Sequence, residues 1–200
     1  MAVEPLEQQA SDSRYVGLRM TADEFLQIPD DGMFYELIDG VVVLSPSPTP
    51  EHQGALLEIA RQLANYLIDH PVGKVFPELD VHLGTGQSGG DLVYRPEVIF
   101  IRKDRVKTMR KKITGPPDLV VEVISQGSRR FDTETKKVDY ERFGVAEYWL
   151  IDLAREEITF LRLQAGQFAK AMPEGNSFHS QAVPGFTLDI ARVRETFKPW

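Results

Sequence analysis

Asp118-Leu119-Val120-Val121-Glu122-Val123-Ile124-Ser125 reads as a buried β-strand carrying one carboxylate at its centre. An unpaired charge in such a strand costs on the order of several kcal/mol or more, so Glu122 needs a partner. Strand alternation puts Asp118, Val120, Glu122 and Ile124 on one face. Asp118 and Glu122 are separated by roughly 13 Å at about 3.3 Å per residue, too far to share one metal ion. A second ligand must come from another strand, and Glu97 opens a second apolar run directly after Pro96. Two hard carboxylates, completed by water and phosphate oxygens, suit Mg²⁺ or Mn²⁺ and suit zinc poorly.

A lysine completes the chemistry. Lys136, Tyr140 and Phe143 share one face of a helix expected to start at Asp132 or Thr133 and end near Gly144. Phe143 turns that face inward and leaves Lys137 towards solvent. A partly buried ammonium can orient a water and stabilise charge at a reacting phosphate, with Tyr140 supporting it. Glu36, within Phe34-Tyr35-Glu36-Leu37-Ile38, is a third acid in an apolar setting, available to complete a metal shell or to act as general base. His52 opens the apolar stripe of a long helix. It either supports the same cleft or, as is commoner for a helix-terminal histidine, is satisfied locally. Each acid also has a plain structural reading: Glu122 tying helix to sheet through Lys136, Glu97 and Glu36 solvated. The conjunction points to metal-assisted phosphodiester hydrolysis. No second histidine stands at zinc-ligand spacing, and no Gly-x-Ser-x-Gly elbow is present.

The 200 residues fit one domain, with residues 1–18 expected as a polar tail and 19–200 as the domain. There is no cysteine, so disulfides and thiolate metal sites are excluded. An apolar leader and membrane-length runs are lacking, which predicts a cytoplasmic protein. The net charge of −7 argues against a general nucleic-acid coat. Residues 95–142 nevertheless carry thirteen Lys and Arg against eight Asp and Glu. Within them Lys103, Arg105, Lys107, Arg110, Lys111 and Lys112 form a basic stretch suited to backbone phosphates.

Local signals mark the elements. Thr21-Ala22-Asp23-Glu24 is a capping box. Asp39-Gly40 is a hairpin turn between Tyr35–Ile38 and Val41–Leu44. Thr49-Pro50 caps a helix running to about Ile68. Leu92–Tyr94 and Glu97–Ile101 make one strand, or two broken at Pro96. Glu147–Leu153 and Glu157–Leu163 make a second hairpin. The glycine-rich run 84–90 lacks the lysine and helix of a phosphate loop. The pattern predicts an α/β (α+β) domain with a mixed or mostly antiparallel sheet.

Several blocks resemble the Uma2 family, earlier a domain of unknown function abundant in cyanobacteria, within the PD-(D/E)xK restriction-endonuclease-like superfamily. They are Tyr35-Glu36-Leu37-Ile38-Asp39-Gly40, the Ser/Pro loop leading to His52-Gln53, Arg95-Pro96-Glu97-Val98, Pro117 through Ser125, Arg129-Arg130-Phe131-Asp132 with Lys136 and Tyr140, and Gly144 through Asp152. The resemblance runs in order from about residue 20 to 165. It implies a restriction-endonuclease-like core, a central mixed β-sheet flanked by helices, with Mg²⁺ between acids on neighbouring strands. Carried over, Glu97 and Glu122 are the metal ligands, Glu36 the hairpin-side acid and Lys136 the catalytic lysine. Two positions depart from the pattern: Glu97 stands where the family usually has Asp, and Ile124 stands where the superfamily has its lysine.

The expected function is a Mg²⁺-dependent (or Mn²⁺-dependent) endonuclease acting on DNA, with double-stranded DNA as partner and a homodimer as the arrangement that would cut both strands. The alternative is a catalytically inactive nuclease-fold module that binds nucleic acid or a protein partner. Hydrolysis of a sugar by a carboxylate pair is disfavoured by the lysine and the lack of an aromatic platform.

Overall fold

The computed structural model describes residues 14–106, 113–125 and 127–198. Local chemistry builds the first elements. The capping box closes on both sides, with Thr21 accepting from Glu24 N and Glu24 from Thr21 N, and starts the one-turn helix α1 (Ala22–Phe25). Strands β1 (Tyr35–Ile38) and β2 (Val41–Leu44) pair antiparallel about Asp39 and Gly40. Their φ values of 48° and 75° are the two positive angles a type I′ turn requires. The described part of the expected tail is not free: Gly17 N donates to Val42 O, and Tyr15 and Val16 pack with α1 and β1. Thr49 caps α2 (Pro50–Asp69), whose apolar stripe Leu56, Ile59 and Leu63 is buried.

Two mixed sheets follow rather than a single central one. The first has the order β2-β1-β5-β4-β7, adding β4 (Val81–Thr85), β5 (Asp91–Tyr94) and β7 (Ile113–Thr114). The second has the order β11-β10-β9-β8-β6-β3, from β3 (Gly73–Pro77), β6 (Val98–Arg102), β8 (Leu119–Ile124), β9 (Glu147–Asp152), β10 (Glu157–Gln164) and β11 (Gln167–Ala171). The chain therefore passes from the first sheet to the second at Arg95-Pro96-Glu97, so Pro96 separates two strands. Strand β3 carried no clear sequence signal, because Gly73 and Pro77 bracket it.

All six residues of β8 are buried, since both faces are covered. Leu119, Val121 and Val123 pack with α2, Trp149 and the C-terminal hairpin β12 (Ser177–His179) and β13 (Thr187–Asp189), together with helix α5 (Ile190–Glu195). Val120 and Ile124 pack with Leu83, Leu92, Tyr94, Tyr140 and Tyr148. On that second face lies a helix that begins at Arg129 and Arg130, passes through a π-helical segment, Phe131–Lys136, and continues as α4 (Lys137–Phe143). The expected cap at Asp132 or Thr133 is absent. Arg130 holds the cap position without a side-chain bond, and Asp132 lies inside the helix with its N–H donating to Ser128 O. Gly144, at φ 85°, ends α4 in a left-handed conformation.

Candidate active site

Antiparallel pairing decides which acids meet. Val98 pairs with Val121, so the residue before β6, Glu97, falls opposite Glu122. Glu97 Oε2 accepts from Val123 N at 3.2 Å, and its carboxyl hydrogen-bonds that of Glu122. The turn of chain at Arg95 brings in the first sheet: Arg95 N donates to Glu36 Oε1 at 2.9 Å. The helix supplies the cation. Lys136 Nζ lies 2.9 Å from Glu122 Oε1, 3.0 Å from Glu36 Oε1 and 3.6 Å from Asp132 Oδ1. It also sits over the rings of Tyr94 (5.6 Å) and Phe131 (5.3 Å). Tyr140 OH donates to Glu122 Oε1 at 2.9 Å. Lys136 and Glu122 are 4% and 1% exposed, whereas Lys137 is not buried, as the helical phase requires.

The electrostatics follow from four acids around one ammonium. Burial raises the Glu122 carboxyl well above its usual range; Lys136 opposes this, and Glu97 and Glu36 reinforce it. Burial likewise raises Glu97, partly offset by its bond to Glu122 and by Lys136. Asp132 is pushed up to about 7, mainly by burial. Burial alone would lower Lys136, but the surrounding carboxyls outweigh it and hold the ammonium charged. The Glu97 and Glu122 carboxyls resist joint ionisation, because two adjacent carboxylates, one half-buried and one buried, repel each other beside a single cation. Burial keeps the Tyr140 phenol protonated, with Glu122 adding to the effect, so it remains a donor.

Glu36, Glu97, Asp132 and Lys136 line a cleft of about 310 Å³, walled further by Phe34, the Ser45–Pro48 loop, His52 and Arg95; Glu122 and Tyr140 lie beneath that lining. His52 is not satisfied locally, contrary to the commoner expectation. Its Nε2 lies 2.9 Å from Val123 O and 3.2 Å from Glu97 Oε1, and its buried Nδ1 has no hydrogen-bond partner. Burial lowers its pKa, so the ring is neutral and Nε2–H donates.

The structure also brings in residues the sequence reading did not single out. Asp132 was taken for a helix cap; its i−4 spacing from Lys136 is the signal that could have found it. Tyr148 OH donates to Asp132 O at 3.0 Å, and Tyr94 OH to Asp139 Oδ2 at 2.6 Å, holding the helix on its bed. The basic stretch does not join the cleft where it is described. Lys103 begins α3 (Lys103–Val106) at the far end of β6, about 20 Å along the chain from Glu97 at roughly 3.3 Å per residue. Arg105 pairs with Asp118 at 3.2 Å. Lys107, Arg110, Lys111 and Lys112 lie outside the described residues.

Two carboxyls held together against their charge, beside one ammonium, are the donor set a small divalent cation would draw on. Among the described residues no three His, Cys, Asp or Glu side chains are arranged to hold one. A two-carboxylate site leaves the remaining positions to water and substrate oxygens, which Mg²⁺ accepts readily.

Acids from two sheets and a lysine from a flanking helix, beneath an open cleft, define a nuclease-like α+β protein. The chain belongs to the Uma2 family, whose model, described as "Putative restriction endonuclease", matches residues 22–191. Membership supports a nuclease function. Among solved structures, the chain is similar to a protein from Anabaena variabilis ATCC 29413 described as "a putative nuclease belonging to DUF820". The TM-score is 0.72 at 18% identity, over 90% of this chain and 99% of that one, a likeness of fold. No curated protein matches. No helix among the described residues is long and apolar enough to cross a membrane.

Proposed function

We propose that the protein hydrolyses DNA phosphodiester bonds with Mg²⁺ or Mn²⁺ held by Glu97 and Glu122. The observation that carries this reading is the Glu97–Glu122 pair with the Lys136 ammonium 2.9 Å from Glu122. When bound, the ion would supply Lewis-acid stabilisation and a water of lowered pKa. The chain's own residues do the rest. Lys136 neutralises the acids and lends its positive charge to the reacting phosphate. Tyr140 fixes the Glu122 carboxyl through its hydroxyl. Glu36, 3.0 Å from Lys136, holds the ammonium against the first sheet and is placed to accept a proton from water. His52 orients Glu97.

The test is cleavage of plasmid and single-stranded circular DNA with and without Mn²⁺, for the parent and Glu122→Gln. The expected result is metal-dependent nicking by the parent and a loss of about 10³-fold or more in the variant. Equal cutting by the variant, or cutting by the parent without metal, overturns the assignment. The alternative reading, an inactive binding module, draws on the full pairing of Lys136 by three acids. Mn²⁺ titration by calorimetry separates the two readings: the hydrolase binds the ion and Glu122→Gln does not.

A further inference from the structure

We infer that the site takes an unpaired strand, with the base next to the scissile phosphate stacked on Phe34. This rests on the nuclease reading above and narrows its substrate. Glu36, Glu97 and Asp132 line a recess of about 310 Å³, and Glu122, beneath its lining, is 1% exposed. A recess of that size stands at the small end of ligand pockets, about 300–1,000 Å³, and suits one splayed nucleotide rather than a length of paired helix. A single phosphodiester with one splayed nucleotide reaches the floor where a paired helix is held off.

A second observation shows where the splayed base goes. Phe34 and Arg95 line the catalytic cleft and also a neighbouring recess of about 440 Å³, bordered by Leu26, Ile28, Pro29 and Met33. The two side chains form the partition between them. The Arg95 guanidinium lies 5.3 Å from the Phe34 ring centroid, and Asp80 holds it with two bonds of 2.7 and 3.1 Å. The Phe34 ring is still 41% exposed and Met33 37%. A fixed guanidinium–aromatic pair with apolar surface beside it is how proteins receive unstacked bases, because every base has a π-face. Asp80 neutralises Arg95, so the recess attracts the flat face of a base rather than a phosphate.

The experiment is fluorescence anisotropy in Ca²⁺, with a labelled oligo-dT and a duplex of equal length, for the parent, Phe34→Ala and Phe34→Trp. The parent is expected to bind the unpaired strand at least about tenfold more tightly than the duplex. Phe34→Ala should lose about tenfold on the unpaired strand, as removal of one stacking platform does, and Phe34→Trp should restore it. The Phe34→Ala loss should be equal at about 50 and 200 mM salt, since stacking releases no counterions. Duplex bound as tightly as oligo-dT, or an unchanged affinity in Phe34→Ala, overturns the inference. Failure of the nuclease reading looks different: Phe34-dependent binding of the unpaired strand with no cleavage in Mn²⁺.

Discussion

Two glutamates buried on neighbouring parallel strands have opposite fates. Glu147, on β9, is 0% exposed, and each of its oxygens takes two donors. Oε1 accepts from Arg162 Nε at 2.9 Å and Gln181 N at 2.8 Å; Oε2 accepts from Ser180 Oγ at 2.7 Å and Trp149 Nε1 at 3.3 Å. Glu122, on β8 and the opposite face of the same sheet, is 1% exposed but meets Lys136, Tyr140 and a second carboxyl. Burial alone therefore does not mark a functional acid. What marks Glu122 is that part of its surroundings repels its charge, where all four neighbours of Glu147 welcome it. The first is an anchor that clamps the C-terminal hairpin to the sheet; the second stands against like charge, the feature on which the proposed cation site rests.

The strongest way to break this contrast is Glu147→Ala. Four donors, one of them charged, lose their acceptor, and the expected cost is about 3–5 kcal/mol in urea unfolding. A cost under about 1 kcal/mol would show that Glu147 is no anchor. Lys136→Met should cost nearly as much, about 3–4 kcal/mol at pH 8, because Glu122, Glu36 and Asp132 lose their shared cation. That penalty should shrink towards pH 5 as Glu122 and Asp132, both raised by burial, take up protons. A pH-independent Lys136→Met penalty would contradict the repulsive character of the cluster.

Asp132 sharpens the same point. Its folded pKa, about 7, stands above the ordinary value of 3.8, so the native state holds the extra proton between those limits. Stability is then full below about pH 4 and is lost as pH rises towards 7. Asp132→Asn removes this slope and should gain about 2 kcal/mol on the parent between pH 4 and 7, with about 4 as the ceiling. Denaturation midpoints across that range check it, and parallel curves would refute it. The smallest effect concerns the basic stretch: neutralising Lys111 and Lys112 together should reduce the log–log salt slope by about 1.4 on an unpaired strand. An unchanged slope would remove these two lysines from the nucleic-acid footprint.

What could be read in the residues was whatever neighbouring residues encode. The Asp39-Gly40 turn, the Thr49-Pro50 cap and the apolar strand around Glu122 each depend on chemistry within a few positions, and each forms as expected. The inward face of Lys136 and Tyr140 followed from helical phase. The division into two sheets did not, because it depends on which distant strands pair across Pro96. The same long-range register sets Glu97 opposite Glu122 and aims His52 at Glu97. Asp132 was hidden for a local reason: an acid before a helical run reads as a cap, and the helix, already begun at Arg129, encloses it instead.

The π-helical segment bears on inheritance. A π-turn contains one residue more than the α-turn it replaces. Losing Thr133 or Glu134 would therefore let the helix close as a regular α-helix with its later turns still in phase. Tyr140 and Phe143, which pack into the core, would keep their places, and Asp132 would stand three residues before Lys136 instead of four. A one-codon event thus lies between this chain and a sibling with the same architecture whose acid meets the lysine at a different angle.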